Sequence, residues 1–196
     1  MLLASCLFGC GGDAKKGNDK AKYRPASEVE SADKDKSSGY TPKEAKVARI
    51  GKVELAGAHE SLDAVGKAVV AALNAKDAKA LQQQLVTKDE FYALFGALSN
   101  DPQGRGASVQ LAWMNQSANS RGSLSKALSE WGGKELVFVK LEPAGTRDRP
   151  GLIEHRNPKL VVKNAAGEEQ TVVALGPVLE QKSSGKFKLL SFRDRE

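Results

Sequence analysis

The sequence predicts an α+β fold in which helices come first and strands follow. Between residues 61 and 131, apolar residues recur at three- and four-residue spacing, the period of a helix with one buried face. Between 136 and 192 they cluster instead in short β-branched and aromatic runs punctuated by Gly, Pro and Asn. A preceding stretch, 13–48, contains no Leu, Ile, Phe, Trp or Met and belongs to neither half.

The first helix is expected to start at Ser61, whose hydroxyl suits an N-cap. Leu62, Val65, Val69, Ala72 and Leu73 form its buried stripe. Asn74 and Asp77 break and restart the pattern, and Ala80, Leu81, Leu85 and Val86 make a second short apolar face. Thr87-Lys-Asp-Glu90 is a capping box, with Phe91, Leu94, Phe95 and Leu98 as the stripe that follows. Gly, Pro and Asn make 99–106 a loop. A long helix over 107–131 then presents Val109, Ala112, Trp113, Leu124, Ala127, Leu128 and Trp131, and Gly132-Gly133 ends it. Trp113 and Trp131, five helical turns apart, share a face and are assigned to the core.

The strand half begins with Leu136–Val139. A charged loop over 147–159 comes next, then a strand at Leu160–Val162, a turn at Asn164–Gly167 and a strand at Thr171–Leu175. Pro177, inside the continued run Val178-Leu179, implies a bulge or an edge strand. A turn at Lys182–Gly185 leads to the last strand, Phe187–Phe192. The result is a three- or four-stranded antiparallel meander. This order resembles the nuclear transport factor 2-like or cystatin-like cone, with the Asn-Ala-Ala-Gly turn and the closing Gly-Lys-Phe-Lys-Leu-Leu-Ser-Phe as its echoes. The resemblance implies N-terminal helices packed on a curved antiparallel sheet over about 61–193.

The residues before the domain speak to location. Leu2–Phe8 form a short apolar run ending in Leu7-Phe8-Gly9-Cys10. Seven residues are too few for a membrane span, which needs about 20. They resemble the signal peptide and lipobox of a bacterial lipoprotein, in which the cysteine thiol takes the diacylglycerol. Phe8 departs from the usual small residue, and the only positive charge before the run is the amino group of Met1. Leu3-Ala4-Ser5-Cys6 is the alternative box. It fits letter by letter but has almost no apolar run before it. Residues 1–9 are thus expected to be a signal peptide and Cys10 the acylated residue. With Gly11 in place of the inner-membrane retention Asp, the resemblance implies the outer membrane in the cell envelope.

Residues 10–48 carry the acylated cysteine and a tether. Nine Lys and Arg interleave with seven Asp and Glu over 13–48, a composition that cannot bury enough apolar surface to order itself. Such a chain reaches about 30–35 Å. Residues 49–196 are left as one domain.

Functional chemistry is sparse. The only cysteines are Cys6 and Cys10, so the domain has no thiol nucleophile and no disulfide framework. With two histidines, His59 and His155, no zinc site is expected. Neither Gly104-Arg-Gly106 nor Ser183–Lys186 has the spacing of a phosphate loop, no nucleophile elbow is present, and no cofactor is predicted. A formal charge of +6 is dispersed along the chain, and no nucleic-acid partner is inferred. His59 and Glu60 adjoin the first helix and are read as cap-region residues. The 147–159 loop sets four Lys and Arg against two acids, making Arg147, Arg149, His155 and Arg156 candidate contacts for an anionic ligand. The expected function is that of a non-enzymatic envelope lipoprotein binding a partner protein or small ligand, held to the bilayer by its acyl anchor. The alternative is a pocket enzyme with isomerase- or hydratase-like acid–base chemistry, for which Glu90, Glu154 and His155 are the first suspects. Trp113, Phe138 and Leu189 filling the space between long helix and sheet would favour binding; an open pocket holding a titratable group would favour the enzyme.

Overall fold

Helices fall where the caps place them. In the computed structural model, which describes residues 42–99, 106–172 and 174–193, α2 (Leu62–Asn74) starts on Ser61, whose Oγ accepts from the Ala64 amide at 3.1 Å. Helix α3 (Ala78–Gln83) starts on Asp77, which accepts from the Lys79 and Ala80 amides. Both halves of the capping box form at the start of α4 (Lys88–Leu98). Helix α5 spans Ala107–Trp131 and stops at Gly132. One helix was not expected. Helix α1 (Lys43–Ile50) occupies the end of the stretch whose composition reads as tether, and it inserts Ile50 fully into the core. The described residues belong to a compact unit over 38–196. The signal peptide, Cys6, Cys10 and most of the tether lie outside the described residues.

The α+β class is shown, with two antiparallel sheets after the helices. Strands β1 (Val137–Glu142), β4 (Lys159–Lys163) and β5 (Glu169–Val172) form one sheet in the order β1-β4-β5. Strands β2 (Gly145–Arg149), β3 (Leu152–Arg156), β6 (Val178–Gln181) and β7 (Lys186–Leu189) form the other in the order β2-β3-β6-β7. The chain crosses between them three times, and every crossing carries a proline: Pro143 from β1 to β2, Pro158 from β3 to β4, and Pro177 before β6.

These crossings align. Glu142 faces Lys159 in one sheet and Gly145 faces Arg156 in the other, so Pro143 and Pro158 lie opposite each other. Beyond β7 the chain continues alongside 174–177. Leu190 N–H donates to Pro177 C=O at 2.8 Å, Gly176 N–H to Ser191 C=O at 2.8 Å, and Arg193 N–H to Ala174 C=O at 2.9 Å. The seven strands are therefore four long arms of one meander, folded along a crease of prolines that cannot donate to a ladder.

Two expectations are corrected here. Pro177 marks neither an edge strand nor a bulge. It precedes β6, which is interior between β3 and β7, and it divides the run expected at 171–179 between the two sheets. Nor is 147–159 a loop. It is largely the β2–β3 hairpin, turned by Pro150-Gly151 with Gly151 at φ +73°. That is the residue pattern of a type II turn. Strand β2 is almost wholly exposed at a sheet edge, so it needs none of the apolar alternation that would reveal it.

The four-stranded sheet is covered on both faces. Val178 and Leu189 join the cluster of α2, α3, the second half of α5 and the three-stranded sheet. Their neighbours Leu179 and Leu190 point the other way, into a second cluster with Ile50, Val86, Phe91 and Leu94 of the α1 and α4 regions. Trp131 belongs to the first cluster, whereas half-buried Trp113 packs on the second, 5.3 Å from the ring of Phe91. Phe138 and Leu189 are in the first cluster, so the three residues expected to fill one interior do not meet in one cluster.

Candidate functional site

The hairpin separates the residues expected to form one anion-binding group. Arg147 pairs across with Glu154, Arg149 with Leu152 and Arg156 with Gly145, which puts the three arginines on one face. His155, opposite Thr146, points to the other face. Arg149 is held by Glu154, with Nε 2.9 Å from Oε2. His155 is buried, and its Nε2 lies 2.8 Å from Glu180 Oε2 on β6. The ring of Phe187 is 5.7 Å away, and His155 Nδ1 is buried without a hydrogen-bond partner.

The acid–base suspects are likewise dispersed. Glu154 belongs to the Arg149 pair and His155 to the Glu180 pair. Glu90 is 7% exposed and makes a dense cluster of its own. One carboxylate oxygen accepts from the Ala56 amide at 2.8 Å and the other from the Thr87 amide at 2.6 Å. The Lys188 ammonium, 1% exposed, donates to both oxygens at 2.8 Å and to Ala56 C=O at 2.6 Å. Lys188 was not singled out from the sequence. Its strand alternation is the signal: Phe187 and Leu189 face one cluster, so Lys188 faces the other, and it stands opposite Leu179. His59 Nε2 lies 2.6 Å from Gln84 Oε1, and Glu60 is bonded to Lys186. No group of three potential metal ligands occurs among the described residues.

Open space lies along α5 instead. A cleft of about 490 Å³ separates the helix from the α3–α4 connector and the last strand. Leu85, Val86, Leu124 and Leu190 give it apolar lining, with Trp113 as one wall. Gln82, Lys88 and Arg121 line it as well. Its volume falls in the range of small-molecule sites, about 300–1,000 Å³. A second cleft of about 510 Å³ continues beside Asn119, Ser123, Ser191 and Arg193, and Gln116 lines both.

The cleft follows from the helix sequence. Residues 113, 116, 117, 120 and 124 follow helical spacing along one face of α5. That stripe reads Trp113, Gln116, Ser117, Ser120, Leu124: large and apolar at both ends, polar and mostly small between. Gln116 Nε2 donates to Leu190 C=O at 3.0 Å, and Ser120 Oγ accepts from the Phe192 amide at 2.9 Å. These bonds hold the helix over the strand without filling the space around them.

No protein-family model matches the chain, and no curated protein or solved structure is similar to it at a significant level.

Proposed function

We propose that this protein is an acyl-anchored protein of the bacterial cell envelope whose α+β domain binds a small ligand in the cleft along α5. One observation carries the binding reading: the inward stripe of α5 gives up apolar packing at Gln116, Ser117 and Ser120, and a cleft of about 490 Å³ opens there. A helix that only filled a core would keep that stripe apolar. Support for the anchor comes from the sequence, in which the only cysteines are Cys6 and Cys10, each in a lipobox-like context ahead of a charged tether. No helix among the described residues is long and apolar enough to cross a membrane. Attachment in this reading rests on lipid.

Native mass spectrometry of the full chain purified from its own envelope tests the binding reading. The wild-type protein should carry a bound small molecule. Ser117→Trp, which places a large side chain in the cleft, should carry none while keeping its far-UV dichroism. An adduct on both proteins, or on neither, would refute it.

A further inference from the structure

The cleft's charge and shape specify a class of ligand. Its lining includes two cations, Lys88 and Arg121, and no Asp or Glu. Both are exposed, and neither forms an ion pair among the described residues. Lys88 Nζ stands 5.6 Å from the centre of the Tyr92 ring, and Arg121 uses Nε to donate to Ser117 C=O at 3.3 Å. The two terminal amino groups of the Arg121 guanidinium are left without an acceptor among the described residues. Two adjacent N–H vectors of that fork match a carboxylate or phosphate. The lining also carries the apolar side chains of Leu85, Leu124, Leu190 and Trp113.

We infer that the cleft binds a single-chain amphiphile with an anionic head, its carboxylate or phosphate between Lys88 and Arg121 and its apolar chain against Leu85, Leu124 and Leu190. This inference rests on the binding reading above and deepens it. A neutral ligand would leave the two cations of the lining without a counter-charge. A small free anion would make no use of Leu85 and Trp113, the partly exposed apolar side chains of the lining.

The test uses the full chain carrying Cys6→Ala and Cys10→Ala, so that no acyl group of its own competes. Tryptophan fluorescence and calorimetry at 0.15 M salt read binding of laurate, dodecyl phosphate, dodecanol and inorganic phosphate, the amphiphiles kept below micelle formation. Laurate or dodecyl phosphate should bind one to one, and dodecanol about 10-fold more weakly, as loss of a charge-assisted contact requires. Inorganic phosphate should not bind measurably. Lys88→Gln and Arg121→Gln should each weaken the anionic probes by about 5-fold and leave dodecanol unchanged. A control at exposed Lys79, Lys79→Gln, should change nothing. Preference for laurate or for dodecyl phosphate supports the inference either way and identifies the head group.

Equal affinity for dodecanol and laurate, an effect of Lys79→Gln as large as that of Arg121→Gln, or no binding of any amphiphile would each overturn it. Those results leave the binding reading standing if the wild-type protein, but not Ser117→Trp, still carries an envelope-derived adduct.

Discussion

Replacing Lys188 with Met removes one ammonium from a site with almost no solvent. The ammonium is 1% exposed and the Glu90 carboxylate beneath it 7%. Breaking a buried pair by removing one partner costs about 3–5 kcal/mol, because the remaining charge is stranded. Here the carboxylate keeps two backbone donors, Ala56 and Thr87, which places the cost near the lower limit, about 3 kcal/mol. For a unit of this size, about 3 kcal/mol corresponds to a fall in Tm of roughly 6–12 °C.

Glu90→Gln strands the opposite charge while sparing the helix cap, since Gln serves at the third position of a capping box. The double variant Lys188→Met/Glu90→Gln strands neither. It should cost less than the two single variants together by about 2–3 kcal/mol. Urea unfolding of the full chain, followed by far-UV dichroism, measures all four corners of the cycle. A loss below about 1 kcal/mol for Lys188→Met, or a coupling near zero, would show that the 55–58 connector does not seal the pair from water.

Gly176→Ala should destabilise by about 2 kcal/mol, because the added Cβ would meet Ser191 Oγ and lie 2.7 Å from the Ser191 carbonyl oxygen; a neutral result in urea unfolding would mean that the crease can open. The hydrogen bond from Lys182 holds the Asp148 carboxyl below its ordinary range. A depressed carboxylate contributes stability above its unfolded value and loses it as pH falls through the folded one, so urea midpoints should drop below about pH 4. Lys182→Met should make that acid limb shallower, and an unchanged limb would exclude the contribution. Palmitate labelling in cells should disappear in Cys10→Ala and persist in Cys6→Ala; the reverse would move the acylated residue, and no labelling of the wild-type protein would remove the anchor.

The helical half was legible because its signals are local. Ser61, Asp77 and the Thr87–Glu90 box each satisfy amides within three residues, so no knowledge of the distant chain is needed. The ends of α5 at Ala107 and Trp131 follow from a Gly-rich loop on one side and Gly132-Gly133 on the other. What the sequence hid depends on partners far away. Helix α1 carries three Lys or Arg and one Glu in eight residues and resembles the tether before it; only Ile50, packed beside the β2–β3 turn at Gly151, makes it part of the core. Strand β2 has no apolar alternation because its residues are almost all exposed. Lys188 reads as solvent-facing if the sheet has one covered face. It is buried because α1 and α4 cover the second. The prolines at 143, 158 and 177 were visible one at a time, but their alignment appears only once the register is known.

Two places break the rule that inward positions are apolar, and the difference between them separates structure from function. At Lys188 the exception is closed. The ammonium has three acceptor contacts, the carboxylate has two backbone donors besides, and both groups are buried. Such a network is a fastening, here between the α1–α2 connector, the start of α4 and β7. Along α5 the exception is open. Gln116 and Ser120 each make one bond to the last strand, and about 490 Å³ is left beside them, with Lys88 and Arg121 facing it without an ion-pair partner among the described residues. Satisfied polar groups in a filled interior hold a fold together. Polar groups beside an unfilled cleft of mixed lining, with uncompensated charge in it, are arranged for something the chain does not itself supply. The proline crease connects the two, because the same arm that buries Lys188 in β7 runs on through Leu190 and Ser191 to form the strand side of both clefts.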